Sequence, residues 1–295
     1  MQPISLEALN AADRDTFVTA LGEVMEHSPW VAEAAYAARP FSGLAALYRA
    51  MVDAVRNAGD ARKLALIKKH PELAGKVARE GALGADSAAE QESVGLNRLT
   101  DEEFATFHRL NDAYGAKFGI PFIVCVRRHT KDSILREFAR RLENDTAAER
   151  DAALNEIFRI AALRLDQRVE APDRLKVTGQ LSTHVLDTHG GGPAAGVAIE
   201  LWEIAASGFI RLLVSGLTNN DGRTDKPLIS GRPIPIAVYE LRFGVGDYFR
   251  RQRVGASEPP FLGVVPVRFA VAEPESHYHV PLLVTPWSYA TYRGS

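Results

Sequence analysis

The 295-residue sequence predicts two domains of different class, an all-α helical domain followed by an antiparallel β-sandwich. Apolar residues recur at the helical spacing i, i+3, i+4 and i+7 up to residue 166, and they alternate with a period of two beyond residue 174. A chain of this length is also long for a single hydrophobic core. We therefore place the domains at 1–166 and 174–295, joined by a polar, proline-containing linker at 167–173.

Helix start and stop signals divide the first domain. Ser42 is the expected N-cap of a helix whose apolar residues fall on one face. Capping-box patterns at 100–103 (TDEE) and 146–149 (TAAE) open two later helices, the second of which runs through Leu165. We find no strand pair in this part of the sequence and expect it to be helical throughout.

Turn signals separate the strand candidates of the second domain. Gly-, Asn- and Pro-rich turns stand at 190–193 (GGGP) and 219–222 (NNDG). Strand candidates with alternating apolar residues include 234–243, 264–271 and 277–284. About 120 residues with this pattern predict a sandwich of two antiparallel sheets.

Composition and charge exclude several classes of function. The chain is 46% apolar and 24% charged with a net charge of -2, which gives no basic surface for nucleic acid or for an anionic membrane. Cys125 is the only cysteine, so an internal disulfide and a cysteine-rich zinc site are excluded. No apolar run reaches the roughly 18 residues of a membrane span, and the first residues lack the features of a secretory signal. We expect a cytoplasmic protein without nucleic-acid or membrane partners.

Candidate chemical groups of the first domain gather at three places. His70, before Pro71 at a helix end, could transfer a proton near neutral pH, although a histidine there also favours the helix dipole. Ser87 and Glu90 combine a hydroxyl and a carboxylate at a helix start, where capping is the structural alternative. Arg164, among apolar neighbours, could bind a carboxylate or pair with an acid. Taken alone, the His70 and Ser87–Glu90 patterns favour the structural alternative, and the Arg164 pattern leaves both open.

Four segments taken together resemble the 2-oxo-4-hydroxy-4-carboxy-5-ureidoimidazoline (OHCU) decarboxylase family: in order, they are HPELAGKVA, SAAEQ, FHRLNDAYGAKFGIPFIVCVR and NEIFRIAALRL. The resemblance covers 1–166 and implies an all-helical enzyme that releases CO2 to form (S)-allantoin without a metal or organic cofactor. It implies that His70 is the catalytic acid/base, that Glu90 works with it and that Arg164 engages an anionic oxygen of the substrate. Arg159, on the same helix, is the alternative arginine. The substrate-binding residues implied by the resemblance are Pro71, Ser87, Ala88, Ala89, Gln91, Phe122, Ile123, Val124, Cys125 and Val126.

The histidines of the second domain allow two interpretations. His184, His189, His277 and His279 are numerous enough to suggest a metal site, with Glu275 as an acidic ligand. However, His184 and His189 are five positions apart, which places them on opposite faces of a continuous strand. The pattern therefore favours metal-free hydrolysis, in which imidazoles activate water and an arginine stabilises the negative oxygen. His189 and His277 are expected to be exposed residues of a turn and a strand.

A second resemblance decides between these interpretations. LSTHVLDTHGGGPAAGVAIELWEI, TNNDGR and SHYHVPLLVTPWSYATYRGS are similar to 5-hydroxyisourate hydrolase, the transthyretin-like enzyme. YRGS, at 292–295, is the most specific signal, because transthyretin itself lacks it. The resemblance implies a catalytic group of His184, Arg223, His279 and Ser295, with Tyr292, Arg293 and Gly294 binding substrate. It does not decide whether His184 or His279 is the general base, and it implies a cofactor-free enzyme with active sites at subunit interfaces.

The two resemblances imply consecutive reactions, because the hydrolase forms OHCU and the decarboxylase consumes it. We therefore predict a bifunctional enzyme of purine (urate) catabolism that acts on the small molecules 5-hydroxyisourate and OHCU. It is expected to form a homo-oligomer, a tetramer through the sandwich with dimer contacts through the helical domain. The alternative is a transthyretin-like small-molecule binding module on a helical scaffold, with one or neither activity retained.

Overall fold

The computed structural model describes residues 3–74, 84–254 and 257–294. It separates into two compact units, Met1–Arg127 with Ile134–Val177, and Arg128–Ser133 with Thr178–Ser295. The predicted succession of a helical domain and a β-sandwich is confirmed. In the part of the chain that is described, no helix combines the length and the apolar composition needed to cross a membrane.

The first unit is built from α-helices around one apolar core. Its fourth helix shows why the sequence folds this way, since Leu47, Met51 and Val55 recur at i, i+4 and i+8 and are all buried. The helices are α1 (Leu6–Ala11), α2 (Arg14–Leu21), α3 (Pro29–Tyr36), α4 (Leu44–Arg56), α5 (Asp60–Lys68), α6 (Ala85–Ser93), α7 (Asp101–Phe118), α8 (Lys131–Leu142) and α9 (Thr146–Arg168). Short 3-10 turns occupy Leu96–Arg98 and Val126–Arg128.

The observed N-caps can be compared with the helix starts predicted from the sequence. The capping box at Thr100 is present in full at the start of α7. Ser42 is not the N-cap of α4: Gly43 holds that position, and the carboxylate of Asp173 accepts hydrogen bonds from the first backbone N–H groups of the helix. An acid serves here because these N–H groups lack partners within the helix and lie at its positive end.

The capping box predicted at 146–149 is wrong. Asp145 is the N-cap of α9, and its side chain accepts from the Ala148 N–H at 2.8 Å. Glu149 is instead fully buried and pairs with Arg141 of α8. Because the Glu149 carboxylate binds this buried cation, it does not cap the helix.

Helix α9 is buried along most of its length, which brings several charged side chains into the interior of the unit. Glu156, Arg164 and Asp166 are all buried on it. The expectation that this part of the chain forms no strand pair is wrong in one detail. Strands β1 (Ile4–Ser5) and β2 (Val169–Glu170) pair in parallel over two residues each.

The second unit is a sandwich of two sheets. Its strands are β3 (Gly179–Asp187), β4 (Gly192–Pro193), β5 (Ala198–Ile204), β6 (Ile210–Leu217), β7 (Ile229–Arg232), β8 (Ala237–Gly244), β9 (Val265–Val271), β10 (His277–Val284) and β11 (Tyr289–Thr291), with helix α10 (Val245–Gln252) between β8 and β9. One sheet has the order β11-β10-β3-β4, with β7 also paired to β3, and the other has the order β6-β5-β8-β9. Alternate residues of β3 are buried, as the period of two predicts.

One strand pair departs from the antiparallel pattern. Strands β3 and β10 run in parallel, and their register sets Ser182 opposite His279 and His184 opposite Pro281. The remaining pairs of the two sheets, among the residues described, are antiparallel. Since side chains two positions apart share a sheet face, this register places the histidines of the two strands together.

Candidate active sites

A pocket in the helical unit collects most of the residues predicted for a decarboxylase site. It is a small cleft that is partly open to solvent. Its lining combines an imidazole, a guanidinium and a carboxylate with apolar side chains, a mixture suited to a small polar ligand. The lining residues are His70, Pro71, Leu73, Ser87, Glu90, Gln91, Phe122, Ile123, Val124, Val126, Ile160 and Arg164.

Arg164 reaches this pocket from α9 and is held by several hydrogen bonds. Its Nε and Nη2 donate to the two carboxylate oxygens of Glu90, both at 2.8 Å. Its Nη1 donates to Glu26 at 2.9 Å, and Nη2 also donates to Ser87 Oγ at 3.2 Å. Burial by itself lowers the pKa of Arg164, but Glu90 and then Glu26 hold it above its ordinary value. The planar fork of arginine suits this bidentate pairing, which fixes its orientation.

His70 follows the end of α5 and is buried. Its Nδ1 lies 3.0 Å from the carbonyl oxygen of Leu66. Because a carbonyl oxygen only accepts, Nδ1 carries the hydrogen, and the neutral ring has an unprotonated Nε2. Burial lowers the pKa of His70 to about 4, against the opposing effects of the Leu66 hydrogen bond and the Glu26 carboxylate. Within the described part of the chain, Nε2 has no hydrogen-bond partner. At neutral pH the pocket therefore contains a neutral imidazole that can accept a proton.

Glu26 belongs to this cluster, although its sequence context gave no indication of a site residue. It is 4% exposed and accepts hydrogen bonds from Arg164 and, at 2.9 Å, from Ser87 Oγ. Burial by itself raises the pKa of Glu26, but the charge of Arg164 and the hydrogen bonds from Arg164 and Ser87 hold it below its ordinary value. In the sequence it follows the apolar residues Val24 and Met25, which is only a weak signal. A buried acid can be predicted only when its cationic or hydrogen-bonding partner is known.

Residues 122–125 form neither helix nor strand, and two charged side chains hold their backbone beside the pocket. Arg141 Nη1 donates to the Ile123 carbonyl oxygen at 2.5 Å. The Cys125 N–H donates to Glu156 Oε2 at 2.9 Å. Both partners come from helices, so rigid elements position a segment that has no ladder of its own.

Some predicted pocket residues lie elsewhere. Ala88 and Ala89 are exposed on α6. Cys125 is buried, with its backbone N–H directed to an acid of α9. In their place Leu73 and Ile160 line the pocket. These two residues carried no signal in the sequence, because an apolar residue that lines a pocket has the same local pattern as one in the core.

The two arginines considered for the decarboxylase role differ in their surroundings. Arg164 lines the pocket and is 4% exposed. Arg159 has a side chain that is 48% exposed and pairs with Glu156, one turn earlier on the same helix. The geometry therefore favours Arg164 for substrate contact.

The sandwich brings together His184, Arg223 and His279, three of the four residues predicted to catalyse hydrolysis. The rings of His184 and His279 lie on one face of the sheet, with their centroids 6.5 Å apart. Arg223 forms a backbone bridge with His184. Burial and then the charge of Arg223 lower the pKa of His184. Burial, Arg223 and the neighbouring histidines lower that of His279. Both rings are thus favoured in the neutral form, which can accept a proton.

Two glycines allow the backbone to approach these histidines. Gly222 has a φ of 69°, and a Cβ there would lie 2.3 Å from the Val185 carbonyl oxygen and 3.2 Å from His184 Cδ2. The Gly294 N–H donates to the His279 carbonyl oxygen at 2.8 Å, and a Cβ on Gly294 would lie 2.9 Å from His279 Cδ2. A side chain at either position would displace a site histidine or its backbone.

The other residues of the terminal tetrapeptide are less closely tied to the histidines. Tyr292 is 57% exposed. The Arg293 guanidinium lies 4.5 Å from the centre of the Tyr278 ring and 4.0 Å from the Glu273 carboxylate. Ser295 lies outside the described residues. Substrate contact by these residues stays a prediction.

The two histidines expected to be exposed have different neighbours. Ser182 Oγ lies 3.0 Å from His277 Nε2 and 3.0 Å from His279 Nδ1. His189, in the turn after β3, packs edge-on against Trp287, with ring centroids 5.9 Å apart. His277 is therefore connected to the histidine pair through Ser182. This serine could not be predicted as a site residue, because its position depends on the parallel register of β3 and β10.

Glu275, the acid considered as a metal ligand, binds a guanidinium. Its carboxylate accepts from Arg128 Nε at 2.6 Å and from Arg128 Nη2 at 3.0 Å. Among residues 3–74, 84–254 and 257–294, no group of three or more His, Cys, Asp or Glu side chains is arranged to hold a metal ion.

The folds and the two sites define a class of protein that joins a helical decarboxylase-type pocket to a sandwich carrying a hydrolase-type histidine pair. Residues 10–166 match the family model for OHCU decarboxylase. Residues 181–294 match the model for the HIUase/Transthyretin family, in which HIUase denotes 5-hydroxyisourate hydrolase. The chain belongs to the OHCU decarboxylase family and, through its C-terminal part, to the HIUase/transthyretin family.

Individual relatives agree with this assignment. The C-terminal part is 54% identical over 119 residues to a 5-hydroxyisourate hydrolase of Halalkalibacterium halodurans, covering 40% of this chain and 100% of the relative. The N-terminal part is 40% identical over 168 residues to an OHCU decarboxylase of Haloferax volcanii, covering 57% of this chain and 98% of the relative. A crystal structure of (S)-allantoin synthase is similar over 99% of this chain and 100% of its own, with 33% identity and a TM-score of 0.54. The predicted pairing of two enzyme domains is confirmed.

Proposed function

We propose that this chain catalyses two consecutive steps of urate degradation. Its sandwich hydrolyses 5-hydroxyisourate to OHCU, and its helical unit decarboxylates OHCU to (S)-allantoin. The observation that carries this proposal is that one chain combines His184 and His279 beside Arg223 with a pocket in which neutral His70 accompanies Arg164. The product of the first site is the substrate of the second.

In the hydrolase step, a neutral histidine of the pair accepts a proton from water as the water oxygen bonds to the ring carbonyl carbon. The adjacent carbon–nitrogen bond then breaks, and the ring nitrogen takes a proton. The charge of Arg223, which lowers the pKa of both His184 and His279, also stabilises the negative oxygen of the intermediate. The carboxylic acid that forms is ionised near neutral pH, so each turnover releases one proton.

In the decarboxylase step, the bond between the ring carbon and the carboxylate breaks, and its electron pair spreads into the neighbouring carbon–nitrogen double bond. CO2 leaves, and the ring takes a proton. His70, with Nδ1 held by Leu66, transfers that proton through Nε2, and delivery to one face sets the stereochemistry. Arg164, oriented by Glu90 and Glu26, holds an anionic oxygen of the substrate. Each turnover consumes one proton.

We propose further that the enzyme is cytoplasmic and forms a homo-oligomer, a tetramer through its sandwich. Large apolar side chains that are exposed on or beside β6 support a self-association surface; they are Phe209, Ile210, Leu212 and Leu217. Light scattering on the purified protein should find an oligomer, and a fully active monomer would contradict the assembly. Fractionation of cells that produce the protein tests the compartment.

Coupled turnover from urate tests the two activities together. Urate and urate oxidase generate 5-hydroxyisourate in place, and circular dichroism follows the chirality of the allantoin. The complete enzyme should form (S)-allantoin rapidly. Racemic allantoin at the spontaneous rate would refute the decarboxylase assignment, and persistence of 5-hydroxyisourate at its uncatalysed lifetime would refute the hydrolase assignment.

Two matched variants assign the steps to their sites. His70→Asn should consume 5-hydroxyisourate at the normal rate but accumulate OHCU and yield racemic allantoin. His279→Asn should slow the loss of 5-hydroxyisourate and leave decarboxylation of supplied OHCU unchanged. Each variant is the control for the other, since both replace a histidine by the same residue. Near-normal (S)-allantoin formation by His70→Asn would exclude its role.

A further inference from the structure

A serine hydroxyl connects an exposed histidine to a histidine of the candidate hydrolase site. Strands β3 and β10 pair in parallel, so Ser182 lies opposite His279, and His277 lies two positions earlier on the same face. Ser182 Oγ is 3.0 Å from His279 Nδ1 and 3.0 Å from His277 Nε2. His277 is exposed, whereas His279 is half-buried. The three side chains form a continuous path from the site to the surface.

Counting hydrogens limits the states of this path. Two hydrogen bonds require two hydrogens, and the hydroxyl of Ser182 supplies only one. When both rings are neutral, one of the two nitrogens facing Ser182 must therefore carry the other hydrogen. If His279 Nδ1 carries it, His279 Nε2 is a free base. If His277 Nε2 carries it, His279 Nε2 is protonated and is an acid. The tautomers of the two rings are coupled through one hydroxyl.

We propose that Ser182 and His277 form a proton relay that makes His279 the general base, and then the general acid, of the hydrolase reaction; this rests on the function proposed above. As the water oxygen bonds to the carbonyl carbon, His279 Nε2 takes a proton from the water. His279 Nδ1 passes its proton to Ser182 Oγ, and the Ser182 hydroxyl proton moves to His277 Nε2. His279 stays neutral, and His277 holds the charge.

The return path completes the cycle. When the carbon–nitrogen bond breaks, His279 Nε2 gives its proton to the leaving ring nitrogen. The proton stored on His277 returns through Ser182 to His279 Nδ1, which restores the first tautomer. The carboxylic acid product then ionises and supplies the proton that the reaction releases. No other reactant is needed.

The surroundings of the two rings explain why the charge is better stored on His277. Burial, the charge of Arg223 and the neighbouring His184 and His277 lower the pKa of His279, so its charged form is disfavoured there. His277 lies at the exposed end of the path, where water solvates an imidazolium. The relay therefore allows proton transfer at His279 without a persistent charge in the site.

Variants of the full-length protein test the relay in the assay with urate and urate oxidase. His277→Gln keeps a group that can hydrogen-bond to Ser182 but cannot hold the proton. It should lower kcat of hydrolysis by about 10- to 100-fold with KM changed by less than about twofold. Ser182→Ala should do the same, and the double variant should be no worse than either single one. His189→Gln, at an exposed histidine in the same unit, is the matched control and should keep wild-type kinetics.

Chemical rescue separates proton transfer from positioning. Added imidazole should restore much of the rate to His277→Ala, where it can occupy the vacated space beside Ser182, and should not restore Ser182→Ala. Wild-type kcat in His277→Gln would overturn the relay, and so would equal rescue of both variants.

A measurement without turnover keeps this inference separate from the proposed function. Failure of the wild-type protein to hydrolyse 5-hydroxyisourate would refute the function. The relay would still be tested by 15N NMR of the imidazoles. It requires complementary protonation of His277 Nε2 and His279 Nδ1, and Ser182→Ala should change the tautomer populations of both rings. Independent tautomers would overturn the relay.

Discussion

Replacing His70 by asparagine should reduce the acid sensitivity of the folded helical unit. Burial lowers the pKa of His70 from its ordinary 6.5 to about 4. Unfolding exposes the ring and restores an ordinary pKa near 6.5. Between these values the unfolded chain binds a proton that the folded chain does not. The free energy of unfolding therefore falls as the pH falls through this interval. Above pH 6.5 the titration of His70 no longer changes it.

The size of the effect follows from the two pKa values. The difference between 6.5 and about 4, at about 1.36 kcal/mol for each pH unit, is about 3 kcal/mol. Lowering the pH from 7 to 5 should lower the free energy of unfolding by about 2 kcal/mol through His70, because the folded ring is still mostly neutral at pH 5. Asparagine can donate to the Leu66 carbonyl oxygen and does not titrate. His70→Asn should thus lose about 2 kcal/mol less than the wild type over this interval.

Urea unfolding of the full-length chain at pH 7 and pH 5 measures this difference. Far-UV circular dichroism follows the transition, and hydrogen exchange of the α5 and α9 amides assigns it to the helical unit. Glu26 is present in both proteins, so its own titration largely cancels in the comparison. Equal losses in His70→Asn and wild type would refute a buried neutral imidazole.

Three further substitutions test other contacts. Glu26→Gln removes a carboxylate that orients Arg164 and should lower decarboxylase kcat/KM by about tenfold, with hydrolysis in the same preparation unchanged. Gly294→Ala places a Cβ against His279 and should lower hydrolase kcat by at least about tenfold, while decarboxylation of supplied OHCU stays normal. Arg141→Met leaves the Glu149 carboxylate buried without its cationic partner, so urea unfolding should show a loss of about 3–5 kcal/mol. A normal rate in either of the first two, or a loss below about 1 kcal/mol in the third, would contradict the corresponding contact.

The features that could be predicted from sequence are those with a local cause. The apolar face of α4 repeats within the helix itself, and the capping box at Thr100 needs only residues three positions apart. Strand β10 covers the predicted residues 277–284 because its alternation and its flanking turns are both local signals. The helical and sandwich classes follow from the same periodicities.

Features with a distant cause could not be predicted in this way. The N-cap partner of α4 is Asp173, 129 positions away, and Glu26 meets Arg164 over 138 positions. Strand β6 was not predicted, because its sequence IRLLVSGL does not alternate between apolar and polar residues. Several of its apolar side chains are exposed, so the strand has no face that is buried throughout. Ser182 joined the candidate site only through the parallel register of β3 and β10. Contacts of this kind depend on the assembled fold, which local patterns do not encode.

The proton balance of the two reactions gives the two histidine environments a common explanation. Hydrolysis releases one proton when its acid product ionises, and decarboxylation consumes one when the ring carbon is protonated, so flux through both steps is proton-neutral. A base that starts neutral suits the first step, and the neutral state of His279 is favoured by burial and Arg223. The second step needs an acid, yet His70 is neutral in the free enzyme. Under the proposed mechanism, His70 must therefore gain its proton with the substrate present, because a bound substrate carboxylate would raise the proton affinity of the imidazole. Under the proposed mechanism, the histidines assigned to the two steps, His279 and His70, therefore both start neutral, and each takes up a proton only during its reaction.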